Sequence, residues 1–228
     1  MSDRSSTRER ILDVSRQLFN EKGYARTTLA EIAASVGIAE GNLWYHFRTK
    51  LDLVVAIEEQ VRRALRAHRA AYPTGRPVAD DYVECVMFAM RHQWEHRFLL
   101  RDQLQFLGEQ NPSQRDPDMA ASFDMLGELL ARMKSEGLFR RDVPVDVKVL
   151  ARALWIVSRY WTDHLQEQEG VDSIDRAQQE RGFQHHFAVL LPYLTAPARR
   201  SLESSFLRMS SELAAGEHQA PGQRRPER

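Results

Sequence analysis

The chain has 228 residues with 32 basic and 32 acidic side chains and one cysteine, enough for one sizeable domain or a small domain beside a larger one. A lone Cys85 excludes an internal disulfide framework, and no apolar run reaches the roughly 18 residues that read as a membrane span. The charged start Met1-Ser-Asp-Arg4 lacks the pattern of a secretory signal, so a cytoplasmic location with no membrane partner is expected.

The first predicted helix is Ile11-Leu-Asp-Val-Ser-Arg-Gln-Leu-Phe-Asn-Glu-Lys-Gly-Tyr24. After it, Leu29, Ile32, Ala33 and Val36 recur at helical spacing and make one apolar stripe. Thr27 or Thr28 can cap this second helix, and Glu31 completes a capping box with Thr28. Gly37 then stands where a helix ends on a positive φ. In the next segment Leu43 and Phe47, four apart, should pack back with Ile38 in the turn, which sends Tyr45 the opposite way between Trp44 and His46. Three bulky amphipathic groups cannot all face inward beside Leu43 and Phe47. Glu40, Gly41 and Asn42 lie at the start of this third helix, the part of a recognition helix that approaches base edges.

These residues carry a family resemblance. The Thr-rich helix start, Ile32-Ala33, the Gly37 turn, the run Gly41-Asn-Leu-Trp-Tyr-His-Phe47 and the following Lys50-Leu51 resemble the DNA-binding domain of the TetR family of bacterial transcriptional regulators. The resemblance covers about residues 7–55. It implies that Thr27 or Thr28, Trp44, Tyr45 and Lys50 contact phosphates, while Asn42, Tyr45 and His46 lie nearest the bases of double-stranded DNA and Gly41 belongs to the same DNA-binding surface. Trp44 stands where the family more often has Tyr, and Glu40 where a neutral or basic residue is common; a carboxylate there repels phosphate unless it accepts from a cytosine amino group.

Past this region the chain is helical by period. A helix over 50–72 forms a lever, broken by Pro73-Thr-Gly-Arg-Pro77, and further helices are predicted over 78–94, 99–110, 117–136, 145–168, 174–193 and 198–214. Asn111-Pro112, Gly137, Pro144, Gly170 and Thr195-Ala-Pro197 mark the breaks. The expected fold is therefore all-α: a three-helix helix-turn-helix domain over 1–50, a helical ligand-binding and dimerisation domain over 51–215, and a disordered tail over 216–228 that carries Arg224 and Arg225.

Within the second domain, Trp94, Phe98, Phe106 and Phe123 are candidate pocket residues, although such side chains also build ordinary helical cores. Cys85 reads as a buried thiol. Leu154, Val157 and Trp161, with Phe183, Phe187 and Leu190, supply more apolar surface than a lone surface helix needs, which suits self-association. The resemblance implies a homodimer joined by a four-helix bundle, a near-palindromic operator, and an unidentified small, mostly apolar effector that releases a repressor from it. His92 and His96, four apart with Glu95 beside them, can chelate zinc, but Gln93 departs from the zinc-protease pattern and nothing fixes His164, His185 or His186 as a third ligand. No phosphate-cradling glycine loop or nucleophile elbow is present, so no catalysis, cofactor or metal is expected.

Overall fold

The computed structural model describes residues 6–107, 117–171 and 176–219. Its first helix, α1 (Thr7–Lys22), starts on a closed capping box: the Ser6 hydroxyl accepts from the Glu9 amide, and the Glu9 carboxylate accepts from the Ser6 amide at 2.6 Å. Helix α2 (Leu29–Val36) ends at Gly37, which is left-handed at φ 77°, and the Ile38 amide returns to the Ala33 carbonyl. Helices α3 (Glu40–His46) and α4 (Lys50–Ala70) follow, the latter capped by a second box between Thr49 and Asp52.

These elements close around Ile11, Phe19, Ile32, Leu43 and Phe47. The same core takes in Leu53, Val54 and Ile57 from the first half of α4, and Phe98 and Phe106 from far along the chain. A second core fills the larger C-terminal part. It is built by α5 (Val78–Glu95), α8 (Pro117–Ser135), α9 (Val147–Glu169), α10 (Arg176–Leu190) and α11 (Ala196–Gln219), with Tyr82, Leu130, Met133, Leu154 and Leu190 fully buried. Helix α5 packs on α8, α9 and α11, while α9 also packs on α10. At the α9/α10 contact there is no room for a side chain at Gly182, because a Cβ would sit 2.6 Å from both the Trp161 ring and the Met90 methyl.

The fold is all-α: among the described residues the one extended pairing is an isolated bridge between Phe139 and Leu194. Three predicted helices differ in outline. Of the helix expected over 99–110, the described residues form two short ones, α6 (Phe98–Arg101) and α7 (Gln103–Leu107), parted at Asp102, and residues 108–110 lie outside the described residues. That carboxylate is buried against the N-terminal domain, where it accepts from the Tyr24 amide at 2.8 Å, and this tether competes with a continuous helix. Helix α10 stops at Leu190 and passes into a 3₁₀ turn over Leu191–Tyr193 containing Pro192. Helix α11 runs to Gln219, so residues 216–219 of the expected tail are helical; Arg224, Arg225 and the Asn111-Pro112 break lie outside the described residues.

Because Leu43 is 0% exposed, Leu43→Ala should cost about 3 kcal/mol by loss of burial and creation of a cavity. Amide exchange across α1 to α3 is expected to rise on the order of a hundredfold. Unchanged exchange would mean that the third helix is not anchored through this residue.

Candidate nucleic-acid interface and effector cavity

Helix α3 divides sharply between an anchored and a free side. Leu43 and Phe47 are buried, whereas Tyr45 is 85% exposed and Trp44 53%. Gly41 and Asn42 are exposed beside Glu40, and the His46 ring, half-buried, stands edge-on to Tyr45 at 5.3 Å. A Cβ at Gly41 would meet no atom of the protein within 4 Å, so the fold itself makes no demand for glycine there. The turn before α3 is held by Arg10, whose guanidinium donates to the Val36 carbonyl at 2.6 Å.

Two of the residues predicted to reach DNA are occupied elsewhere. Thr27 is 0% exposed, and its hydroxyl donates to the Gly23 carbonyl at 2.9 Å, so it is a loop brace and not a phosphate contact. Thr28 is the cap of α2 and remains exposed; it accepts from the Glu31 amide at 3.1 Å. The capping box is only half made, since the Glu31 carboxylate pairs with Lys22. Lys50 has a partner within the chain as well. Its ammonium donates to the Tyr24 carbonyl at 2.7 Å and lies 4.4 Å from the Tyr24 ring centroid, and the partial burial that results lowers its pKa. It ties the 23–26 loop to the start of α4. Arg48, which the sequence reading passed over, is an exposed cation next to the third helix. Lys50→Ala is expected to loosen that loop, read as faster amide exchange at residues 23–27; unaltered exchange would free Lys50 for the surface role.

A cavity of about 670 Å³ lies between α4, α5, α8 and α9, within the size range of small-molecule sites. Val61, Leu65 and His68 of α4 form one wall, facing Phe88, Phe123 and Trp155. The His68 ring stacks on Phe88 at 3.8 Å, and Phe123 meets Trp155 edge-on at 5.5 Å. Polar and charged side chains share the lining, Glu58, Arg62, Gln93, Arg152 and Arg159 among them, and within it His186 joins Tyr82 at 2.7 Å and Ser158 at 2.8 Å. Of the predicted pocket residues only Phe123 lines this cavity. Phe98 and Phe106 belong to the N-terminal core, and Trp94 lies under the Arg97 guanidinium at 3.8 Å.

The predicted dimer faces need a similar correction. Leu154, Trp161, Phe183 and Leu190 are buried in the core of their own chain, because α9 and α10 pack on each other and on α5; only Val157 and Phe187 stay half-exposed. The apolar side chains that α9 leaves outward are Val149, Ile156 and Tyr160.

Burial holds His68 at a pKa of about 4 and His186 at about 3, against an ordinary 6.5. Both are neutral in the fold at neutral pH. Since the unfolded chain binds the extra protons, this stability is present above about pH 6.5 and is lost as pH falls toward 4. The unfolding midpoint should fall across that window, with a shallower fall in His68→Gln; identical slopes would place His68 in water.

The amino-terminal helices match a family model for "Bacterial regulatory proteins, tetR family" over residues 11–57, and a "Bacterial transcriptional repressor" model of the same family matches residues 58–202. The chain belongs to the TetR family. It is similar to the HTH-type transcriptional regulator AcrR of Shigella flexneri, 43% identical over 53 residues, which is 23% of this chain and 25% of that one. The chain thus spans about a quarter of that relative's length. It is also similar to the HTH-type transcriptional repressor KstR2 of Rhodococcus jostii, 28% identical over 176 residues, 70% of this chain and 82% of the relative. A TetR-family regulator from Marinobacter aquaeolei superposes with a TM-score of 0.69 at 26% identity, over 88% of this chain and 98% of the other. This TetR-family chain is accordingly a DNA-binding transcriptional regulator and not an enzyme, and among the described residues no helix is long and apolar enough to cross a membrane.

Proposed function

We propose that this regulator is a homodimeric repressor that reads a near-palindromic operator with Asn42, Trp44, Tyr45 and His46, and leaves it when a small, mostly apolar effector fills the cavity. One observation supports this most directly: α4 belongs to both halves. Its first turns, through Leu53, Val54 and Ile57, are part of the DNA-binding core, and its later turns, through Val61, Leu65 and His68, are a wall of the cavity. A ligand that displaces this wall displaces the base of the reading head.

Helix α4 is also fastened to α8. Arg66 and Arg69 both hold Asp118, at 2.8 and 2.5 Å, so pressure on α8 reaches the lever as well. Two reading helices related by a two-fold axis address successive major grooves when they sit about 34 to 36 Å apart, and a small rotation of each α4 alters that spacing. Release requires the effector to bind the non-operator conformation more tightly, because equal affinity for both shifts nothing.

The test begins with operator fragments selected from genomic DNA and their affinity followed against salt. Tyr45→Ala should weaken operator binding by about 1 to 3 kcal/mol and relax preference at one base position. Apolar compounds that raise the unfolding midpoint of the wild type but not of Trp155→Ala should lower operator affinity. A compound that fills the cavity and leaves operator affinity unchanged would refute the release mechanism, and an affinity insensitive to salt would refute phosphate contact altogether.

A further inference from the structure

We propose that His92, Glu95 and His96, at the carboxyl end of α5, bind one divalent transition-metal ion, zinc by the chemistry of the donors, at a point where its charge acts on the DNA-binding domain. The three residues fall on one helical face by their spacing, and their donor atoms lie within 4.8 Å of one another. The two imidazoles stand 4.6 Å apart. Zinc holds its nitrogen ligands at about 2.0 to 2.1 Å, so modest side-chain rotation must draw the donors inward. Glu95 is exposed and can turn.

The histidines are already set up as ligands. The Nδ1 of His96 faces the His92 carbonyl at 2.9 Å, so it carries the proton and leaves Nε2 with its lone pair. The Nε2 of His92 is buried and has no hydrogen-bond partner, a cost that a metal ion would remove. A carbonyl behind a histidine is how its tautomer is commonly fixed at metal centres.

Two imidazoles and a carboxylate suit zinc, cobalt or nickel and not the oxygen-seeking magnesium or calcium. Three protein donors leave a fourth position open. Since His92 and His96 both line the cavity, that position faces the space assigned to the effector. None of the other candidate histidines approaches it: His186 is bonded to Tyr82 and Ser158, while His164 and His185 lie on Trp161.

The neighbourhood couples the ion to the reading head. The main-chain carbonyl of Glu95 accepts from Asn20 at 2.8 Å and from the Arg16 guanidinium at 3.1 Å, and both donors belong to α1. Asn20 in turn accepts from the Phe98 amide at 3.2 Å. A dication at Glu95 repels Arg16 and turns the residue that α1 grips. Metal is therefore expected to loosen the α1/α5 contact and weaken operator binding. This coupling rests on the reading of the protein as a DNA-binding regulator; the metal site does not.

The full-length protein, stripped with chelator, is titrated with Zn²⁺ by calorimetry and with Co²⁺ by absorbance. One ion per chain is expected, with tetrahedral Co²⁺ bands and no thiolate charge-transfer absorption, which separates this centre from Cys85 on the same cavity. His92→Gln and His96→Gln should each weaken binding by about 10- to 100-fold, and Glu95→Gln by about tenfold, while His164→Gln matches wild type. Circular dichroism checks the folds. If the histidine variants do not fold, the wild-type Co²⁺ spectrum and Glu95→Gln decide alone. No stoichiometric binding by wild type, a thiolate band, or wild-type affinity in Glu95→Gln would overturn the site. Operator affinity that is unchanged by one equivalent of Zn²⁺ would overturn the coupling, whereas absence of operator binding with and without metal would count against the regulator reading instead.

Discussion

The principal link between the two halves of this molecule is α4, which is packed at both ends. Its 21 residues make a rod of about 31 Å at 1.5 Å per residue. The near end is fixed by Leu53, Val54 and Ile57 in one core, and the far end by the ion pairs of Arg66 and Arg69 with Asp118. Close-packed cores do not deform smoothly, so a displaced rod carries its attached core with it. The turn after α5 is a second strut. Arg101 donates to the Phe19 and Asn20 carbonyls, and Asp102 accepts from the Tyr24 amide. With two struts, the small domain can pivot on one only if the other yields.

The three-helix head was legible because its signals are local. The apolar stripe of α2, the left-handed Gly37 and the opposition of Leu43 and Phe47 to Tyr45 follow from helical period alone. Thr27 and Thr28 show where such reasoning stops. Either hydroxyl can cap a helix in sequence, and the choice was made by the Gly23 carbonyl, which takes the first and buries it. Lys50 is similar: a flexible ammonium announces no direction, and the loop carbonyls at Tyr24 and Ala25 claimed it.

The errors in the larger part share one physical cause, which is that contacts distant in sequence leave no periodic trace. Phe98 and Phe106 lie among residues of the regulatory half, yet Asn20 and Tyr24 pull their segment across to the other core. Surplus apolar surface on α9 and α10 looked like an interface. A helix covered on several sides by its own chain has the same composition as one that meets a partner, and Leu154, Trp161, Phe183 and Leu190 are of the first kind. The cavity walls formed by His68 and Trp155 went unseen because a void has no sequence pattern.

The partition of α3 has an evolutionary consequence. Two buried anchors, Leu43 and Phe47, hold the helix, while Asn42, Trp44 and Tyr45 stand clear of any core. Substitutions at those outward positions spend little of the molecule's folding stability. These positions can therefore drift freely across descendants of this chain, since no compensating repair of the scaffold has to precede each change.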